Sequence, residues 1–331
     1  MILALESSCD ETAAAVLNPP MKLLSSEVAS QVKKHRPFGG VVPELASRNH
    51  LLSLRPVIEA ALKGAGVCLD QIEAFAATSG PGLASSLLMG NTAAKALAVT
   101  CARPFISVNH MEGHLLSPFL KAPFRPHLAL IVSGGHTLLV KVNEFGNYEK
   151  LGSSRDDAAG EAFDKVGKML GLPYPGGPEV ERCAKGGDCQ RFDFPRSMIG
   201  SGDFNFSFSG LKTAVLYTLQ KIGTPDQQTL ADLCASFQAA VVDVLVAKAL
   251  AAARHCPVDT IALSGGVACN LSLRKALREQ CKKSGIELLA VAPQHSTDNA
   301  AMIARAAAEK LARGQFTELS EDIDPNLALA P

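Results

Sequence analysis

The 331-residue sequence predicts an α/β protein made of two similar lobes around a central cleft, and three observations carry that prediction. Apolar residues make up 47% of the chain with no Trp and 5% aromatics, a composition rich in Ala, Leu and Val that suits strands covered by helices. The length is enough for two cores. Finally, one pattern of apolar runs and polar turns occurs twice, and duplication of this kind builds paired lobes.

The first copy opens with an apolar strand, Ile2 to Leu5, a polar turn, Glu6 to Thr12, and a second run, Ala13 to Leu17. The second opens with Leu128 to Val132, the turn Ser133-Gly134-Gly135-His136-Thr137, and Leu138 to Val142. Each reads as a β-hairpin. An amphipathic helix, a strand, a Gly turn and another helix follow in both copies. In the first these are Leu51 to Leu62, Ile72 to Thr78, Ser79 to Gly82, and Leu83 to Val99. In the second they are Leu233 to Ala253, Thr260 to Leu263, Ser264 to Gly266, and Val267 to Arg278. Extra residues at about 152–228, rich in Gly, Pro, Phe and charge, read as a helical insertion. A last helix, Thr297 to Arg313, is expected to return to the first lobe. The lobes are then 1–125 plus 296–331, and 126–295.

Charge and cysteine usage narrow the function. Acidic and basic residues balance at 32 each, so no global field draws the chain to nucleic acid or membrane, and RNA contact must come from a local patch or a partner. Nine scattered cysteines without a C-x2-C pair read as thiols in a reducing compartment. The opening Met-Ile-Leu-Ala-Leu-Glu lacks a basic n-region and cleavage site, so a cytoplasmic protein is expected. The apolar stretch from Leu87 to Ala102 is broken by Asn91 and Lys95 and reads as a core helix.

Residues 109–114, Asn-His-Met-Glu-Gly-His, carry the sharpest chemical signal. His110 and His114 share one helix face and can grip one metal ion. Glu112 lies about 200° round the helix from His110, unlike the base of H-E-x-x-H metalloproteases. Asp298 reads first as a helix cap; as an oxygen ligand it would complete a His2Asp set with open positions. His136 and His295 read as structural. The turn from Glu6 to Thr12 gathers three carboxylates and three hydroxyls. Three Gly turns, Ser79 to Gly82, Ser133 to Gly135 and Ser264 to Gly266, allow close approach of backbone to phosphate, and none is a Rossmann or P-loop fingerprint. The stretch Asp156 to Lys168 reads as a helix, and i,i+4 pairing explains most of its face of Asp157, Glu161, Asp164 and Lys168. Lys33-Lys34-His35-Arg36 is the best local phosphate-contact stretch.

Together these stretches resemble one family along essentially the whole chain, the bacterial tRNA N6-adenosine threonylcarbamoyltransferases, formerly named O-sialoglycoprotein endopeptidases. The matches are ESSCDET from Glu6, QVKKHRPFGGVVPELASRNH from Gln31, SGPGL from Ser79, NHMEGHLL from Asn109 and IVSGGHT from Ile131. DDAAGEAFDKVGKMLGLPYPGGP from Asp156, FSFSGLKTAV from Phe206, LSGGVACN from Leu263 and STDNAAMIA from Ser296 complete them.

The resemblance implies the actin-like ATPase (ASKHA) fold, two ribonuclease-H-like lobes with a nucleotide between them. It implies that His110, His114 and Asp298 hold a divalent metal, iron(II) or alternatively zinc. It also implies that Ile131, Val132, Ser133, Gly134 and Gly135, with Asp164, Gly177 and Asn270, bind substrate. The implied reaction moves a threonylcarbamoyl group from threonylcarbamoyl-adenylate to N6 of the adenosine 3′ of the anticodon in tRNAs reading ANN codons, releasing AMP. Implied partners are tRNA, a paralogous actin-like subunit and a small ATPase subunit, with no membrane. For the proton leaving the amine, Asp10 and Glu11 are the candidate acceptors. The competing readings are a metalloprotease, a kinase or ATPase of the same fold, and a scaffold without catalysis.

Overall fold

The computed structural model describes residues 1–329. The chain divides into two compact units, Met1–Phe124 with Gln294–Pro331, and Arg125–Pro293. The first unit contains β1 (Ile2–Glu6), β2 (Glu11–Asn18), β3 (Lys22–Ser30), α1 (Val32–His35), α2 (Pro43–Ala65), β4 (Ala74–Gly80), α3 (Ala84–Thr100), β5 (Phe105–Asn109) and α4 (His110–Leu116). The second contains β6 (His127–Val132), β7 (Thr137–Glu144), β8 (Asn147–Ser153), α5 (Ala159–Met169), α6 (Gly176–Cys183), α7 (Ser209–Ile222), α8 (Gln227–His255), β9 (Thr260–Ser264), α9 (Leu271–Lys283) and β10 (Glu287–Ala290). The last helix, α10 (Ala300–Ala312), belongs to the first unit.

The two sheets have one topology. Their strand orders are β3-β2-β1-β4-β5 and β8-β7-β6-β9-β10. In each, the first three strands run antiparallel and the last two run parallel to the first. The duplication read in the sequence is therefore real. The extra residues of the second copy lie between β8 and α8 and carry α5, α6 and α7.

Continuous apolar strands require cover on both faces. In the first unit, Leu3, Leu5, Ala14, Val16, Phe75 and Ala77 pack with Leu54, Val57 and Ala61 of α2 and Ala94 and Ala98 of α3. The alternate residues Ile2, Ala4, Ala13, Ala15, Ala74 and Ala76 point to the opposite face and are equally buried. There α10 packs against β1, β2 and β5. Ala300 to Ala308 are all buried, as a helix apolar on every side demands. Its one buried cation, Arg305, is matched: Nε donates to the Phe119 carbonyl at 3.1 Å and Nη1 meets Glu309 at 2.8 Å.

In the second unit α8 is the axis of the core, with Leu233, Phe237, Val241, Leu245 and Ala249 buried in one cluster with β6 and β9. Among the described residues, α8 alone is long and apolar enough to cross a membrane, and 78% of its most apolar window is buried inside the protein.

Several helix starts differ from the sequence reading: α2 begins at Pro43 rather than Leu51, α8 at Gln227 rather than Leu233, α9 at Leu271 rather than Val267, and two further shifts bear on the site. The helix expected from Asp156 begins at Ala159, because Thr137 Oγ1 accepts the Ala159 N–H at 2.9 Å while Asp156 and Asp157 bond outward to Phe208 N and to Lys165 and Lys212. The helix expected from Thr297 begins at Ala300, because Asn299 takes the cap and accepts the Met302 N–H at 3.1 Å. Asp298 is thereby released from capping.

Candidate metal centre and substrate turns

Helix α4 follows β5 directly, and Asn109 between them caps it: its Oδ1 accepts the Met111 N–H at 2.8 Å. One turn then separates His110 from His114, whose rings stand edge to face with centroids 4.8 Å apart. Gly113 between them lets α10 close in, since a Cβ there would lie 2.9 Å from Ile303 Cδ1 and 3.0 Å from Met302 Cγ. That close packing brings the residue ahead of α10 to the histidines. Asp298 Oδ1 is 3.5 Å from His110 Nε2 and 3.3 Å from His114 Nε2.

These three residues form the group among the described residues whose ligand atoms all lie within 4.8 Å of one another. Bonds of about 2.1 Å to a tetrahedral ion set ligand atoms about 3.4 Å apart, so both His–Asp separations fit a shared ion. Nε2 of His114, the nitrogen that faces Asp298, is buried without a hydrogen bond and so is available to an ion; Nδ1 is buried without one as well, which an ion at Nε2 does not explain. The histidine side chains are 7% and 0% exposed against 23% for Asp298, so the open side of the cluster lies over the carboxylate. A divalent ion with neutral imidazoles would balance the two carboxylates at the cluster, the fully buried Glu6 and the partly exposed Asp298.

The electrostatics follow from that crowding. Burial alone would lower the pKa of His110, but the carboxylates of Glu6 and Asp298 outweigh it and raise it to about 10. Burial acts upward on Asp298, yet the two histidines hold it well below the usual carboxylate range. Burial lowers the pKa of His114, and the neighbouring His110 adds to the effect. Glu112 points elsewhere: its Oε2 meets Lys310 Nζ at 3.2 Å and it is 7% exposed. Glu112 is therefore not placed as a metalloprotease base.

Asp10 and Glu11 lie half-buried at the β1–β2 turn. Burial and then the Asp298 charge push the Asp10 carboxyl up. Burial pushes Glu11 up to about 8, although Ser30 Oγ donates to it at 2.8 Å. Lys33 and Arg36 are exposed, whereas His35 is buried and accepts the Val42 N–H at 3.2 Å, a structural role.

The three Gly turns part company. Ser79 to Gly82 is closed by the chain's own C-terminal segment: Asp324 N donates to the Ser79 carbonyl at 2.8 Å and Gly82 N to the Pro325 carbonyl at 3.1 Å. A Cβ on Gly80 would strike the Asp324 carbonyl. The expectation of a phosphate turn fails there, because the polar groups and the space are already taken. Ser133 to Gly135 behaves otherwise. Gly134 and Gly135 are exposed, with open space at both Cβ positions. Gly265 (φ 91°) and Gly160 serve as its floor: a Cβ on either would sit 2.4 Å from the carbonyl of Val132 or Ser133 respectively.

The remaining residues gather in the second unit. Asp164 Oδ1 accepts the Gly176 N–H at 2.7 Å and so fixes the start of α6, where Gly177 lies. Asn270 caps α9, its Oδ1 accepting the Leu273 N–H at 2.9 Å and its Nδ2 donating to Gln238 Oε1 at 2.7 Å. One amide N–H of Asn270 is left for another partner.

Sequence reasoning from the residues missed Gly113 and the contact of Glu6 with His110. Gly113 stands inside the His-x3-His run and could have been read as a contact point for a crossing helix. Glu6 is separated from His110 by 104 positions, and no local pattern links them.

The family model for tRNA N6-adenosine threonylcarbamoyltransferase matches residues 22–305. The relative of that name from Anaeromyxobacter sp. (strain Fw109-5) is 51% identical over 327 residues, covering 98% of each chain. That from Geobacter metallireducens is 52% identical over 324 residues, 97% of this chain and 95% of its own. Among solved structures, HypF of T. kodakarensis superposes with a TM-score of 0.67 at 14% identity, over 96% of this chain and 48% of that one. The last likeness bears on the fold alone.

Proposed function

The chain belongs to the tRNA N6-adenosine threonylcarbamoyltransferase family, and on that premise we propose how its residues carry the transfer. The reaction moves the threonylcarbamoyl group of threonylcarbamoyl-adenylate to N6 of the adenosine 3′ of the anticodon in tRNAs reading ANN codons. The N6–carbonyl bond forms, the carbonyl–phosphate oxygen bond breaks, AMP leaves, and the amine gives up a proton. The observation that carries the assignment of the site is the buried His110–His114–Asp298 cluster with ion-compatible separations.

His110, His114 and Asp298 hold one divalent metal, iron(II) in preference to zinc. When bound, that ion supplies Lewis-acid stabilisation of the charge developing on phosphate or carbonyl oxygen. In the second unit, Ile131 and Val132 end β6 and lead through Ser133 into the open turn, where Gly134 and Gly135 offer their backbone N–H groups to the adenylate. Asp164, through the start of α6, sets Gly177, and Asn270 contributes its remaining amide N–H. An adenosine amine is a weak nucleophile, so holding it in line contributes much of the acceleration, up to roughly 7–11 kcal/mol in favourable cases. Glu11, pushed up to about 8, is matched to accepting a proton near neutral pH, with Asp10 beside it as the alternative.

The protein acts in the cytoplasm on tRNA, assisted by a paralogous actin-like subunit and a small ATPase subunit. The balanced charge of 32 acidic and 32 basic residues supports a partner's share in docking tRNA, with Lys33 and Arg36 as this chain's phosphate contacts. The test is conversion of adenosine to threonylcarbamoyladenosine in an ANN-decoding tRNA by the protein with its partner subunits. Activity unchanged by His110→Ala with His114→Ala would overturn the metal role. Glycoprotein cleavage by the pure, metal-loaded protein would revive the protease reading.

A further inference from the structure

The two histidines of the cluster are held in different ways. His114 has no hydrogen bond on either nitrogen. His110 turns Nε2 toward Asp298 and Nδ1 toward Glu6, whose Oε2 is 3.1 Å away. Glu6 ends β1, is fully buried, and cannot swing: Oε1 accepts the Ser8 N–H at 2.6 Å and Oε2 accepts from Thr78 Oγ1 at 2.6 Å. Thr78 is in place because β4 runs parallel to β1, with Leu5 beside Ala77. Ser8 Oγ is a second, longer neighbour of Nδ1 at 3.2 Å.

From this geometry we infer that Glu6 is a positioning residue, which fixes the Nδ1–H tautomer of His110 and so aims the Nε2 lone pair at the ion. The inference rests on the reading of the cluster as a metal site. A carboxylate facing Nδ1 requires a proton there, and the other nitrogen is then the ligand. The buried carboxylate also makes the ring a stronger donor, and partners of this kind are worth about 10–100-fold in metal affinity. Glu6 never touches the ion; it acts through His110 alone.

The test is a chelator-competition titration of the full chain with Co²⁺ at one fixed pH, alongside the ¹⁵N shifts of His110 in the protein loaded with diamagnetic Zn²⁺. Glu6→Gln is expected to bind about 10–100-fold more weakly than wild type and to lose the single Nδ1–H signature. Thr78→Val, a milder change that leaves the carboxylate but frees it to turn, is expected to weaken binding about 3–10-fold by the same route. Ser8→Ala should stay within about 3-fold, since Glu6 remains opposite Nδ1. Should Glu6→Gln fail to fold, Thr78→Val decides. Equal Co²⁺ affinity in wild type and in the variants that fold would overturn the role of Glu6 and leave the metal site standing. Absence of Co²⁺ binding by wild type would overturn the metal site itself.

Discussion

The two units share a strand order and a hairpin, yet they put opposite chemistry at the ends of matching strands. In the first, the turn after β1 carries Glu6, Ser8, Asp10 and Glu11, and the turn after β4 is sealed by the C-terminal segment. In the second, the turn after β6 is Ser133-Gly134-Gly135, with a buried serine and two exposed, unobstructed glycines, and the turn after β9 supports it from below. One copy gathers acids around two buried imidazoles. The other has kept bare backbone. A duplicated frame fixes where strands end, and under the proposed function the side chains at those ends decide between holding a cation and receiving an anion.

Replacing both His110 and His114 with Ala should do the most damage. A loss of roughly 10³-fold in transfer rate is expected, comparable to removing a preorganised charge stabiliser, while AMP binding measured by calorimetry stays intact. Loss of AMP binding as well would erase the division of labour between the units.

A pair of glycine substitutions probes the second unit. Gly265→Ala meets the Val132 carbonyl at a positive φ and should cost roughly 2–5 kcal/mol, read as a lower midpoint in denaturant. Gly134→Ala meets nothing and should stay within about 0.5 kcal/mol while weakening AMP binding. Equal stability losses at the two positions would contradict the picture of an open turn on a tight floor.

Glu11 gives a pH test of the acidic turn. Its carboxyl rises from 4.5 to about 8 on folding, so its contribution to stability is fully present below pH 4.5 and is lost as pH climbs through 8. Glu11→Gln should therefore match wild type near pH 4.5 and exceed it at pH 9 by roughly 1–2 kcal/mol, allowing for its half-buried setting. The same substitution should remove the limb of the transfer rate that rises through pH 8.

Smallest is Asn109→Ala. It removes the cap of α4 and the bonds from Nδ2 to the carbonyls of Leu327 and Ala328, at 3.5 and 3.0 Å. About 1 kcal/mol of stability should go, with faster amide exchange in both α4 and residues 324–328. Protection lost in α4 alone would show that the C-terminal segment is held independently of the cap.

Much of this frame could be read from the chain. Apolar runs of strand length and the repeated hairpin set out three of the five strands in each sheet, while the half-exposed β3, β8 and β10 and the short β5 went unread, and the i,i+4 spacing of His110 and His114 needed no tertiary knowledge. Asp298 was ambiguous because Asp and Asn cap helices equally well, and Asp298 and Asn299 are adjacent. Only the fold shows that Asn299 takes the cap. The sealed turn at Ser79 to Gly82 and the Glu6–His110 contact depend on residues far apart in the chain, beyond any local periodicity. Asp164 and Asn270 emerged from family resemblance, since a helix face of paired charges and a cap residue look ordinary by themselves.

The central claim is that one ion in the His110–His114–Asp298 cluster is required for threonylcarbamoyl transfer. It is tested most directly by adding iron(II) in known equivalents to metal-stripped protein with its partner subunits, threonylcarbamoyl-adenylate and an ANN-decoding tRNA, and counting threonylcarbamoyladenosine by mass spectrometry. Product should rise with added metal and break at about one equivalent per chain, the stoichiometry of a single closed ligand set. Full product from the stripped protein, or the same titration curve from the double histidine variant, would contradict it.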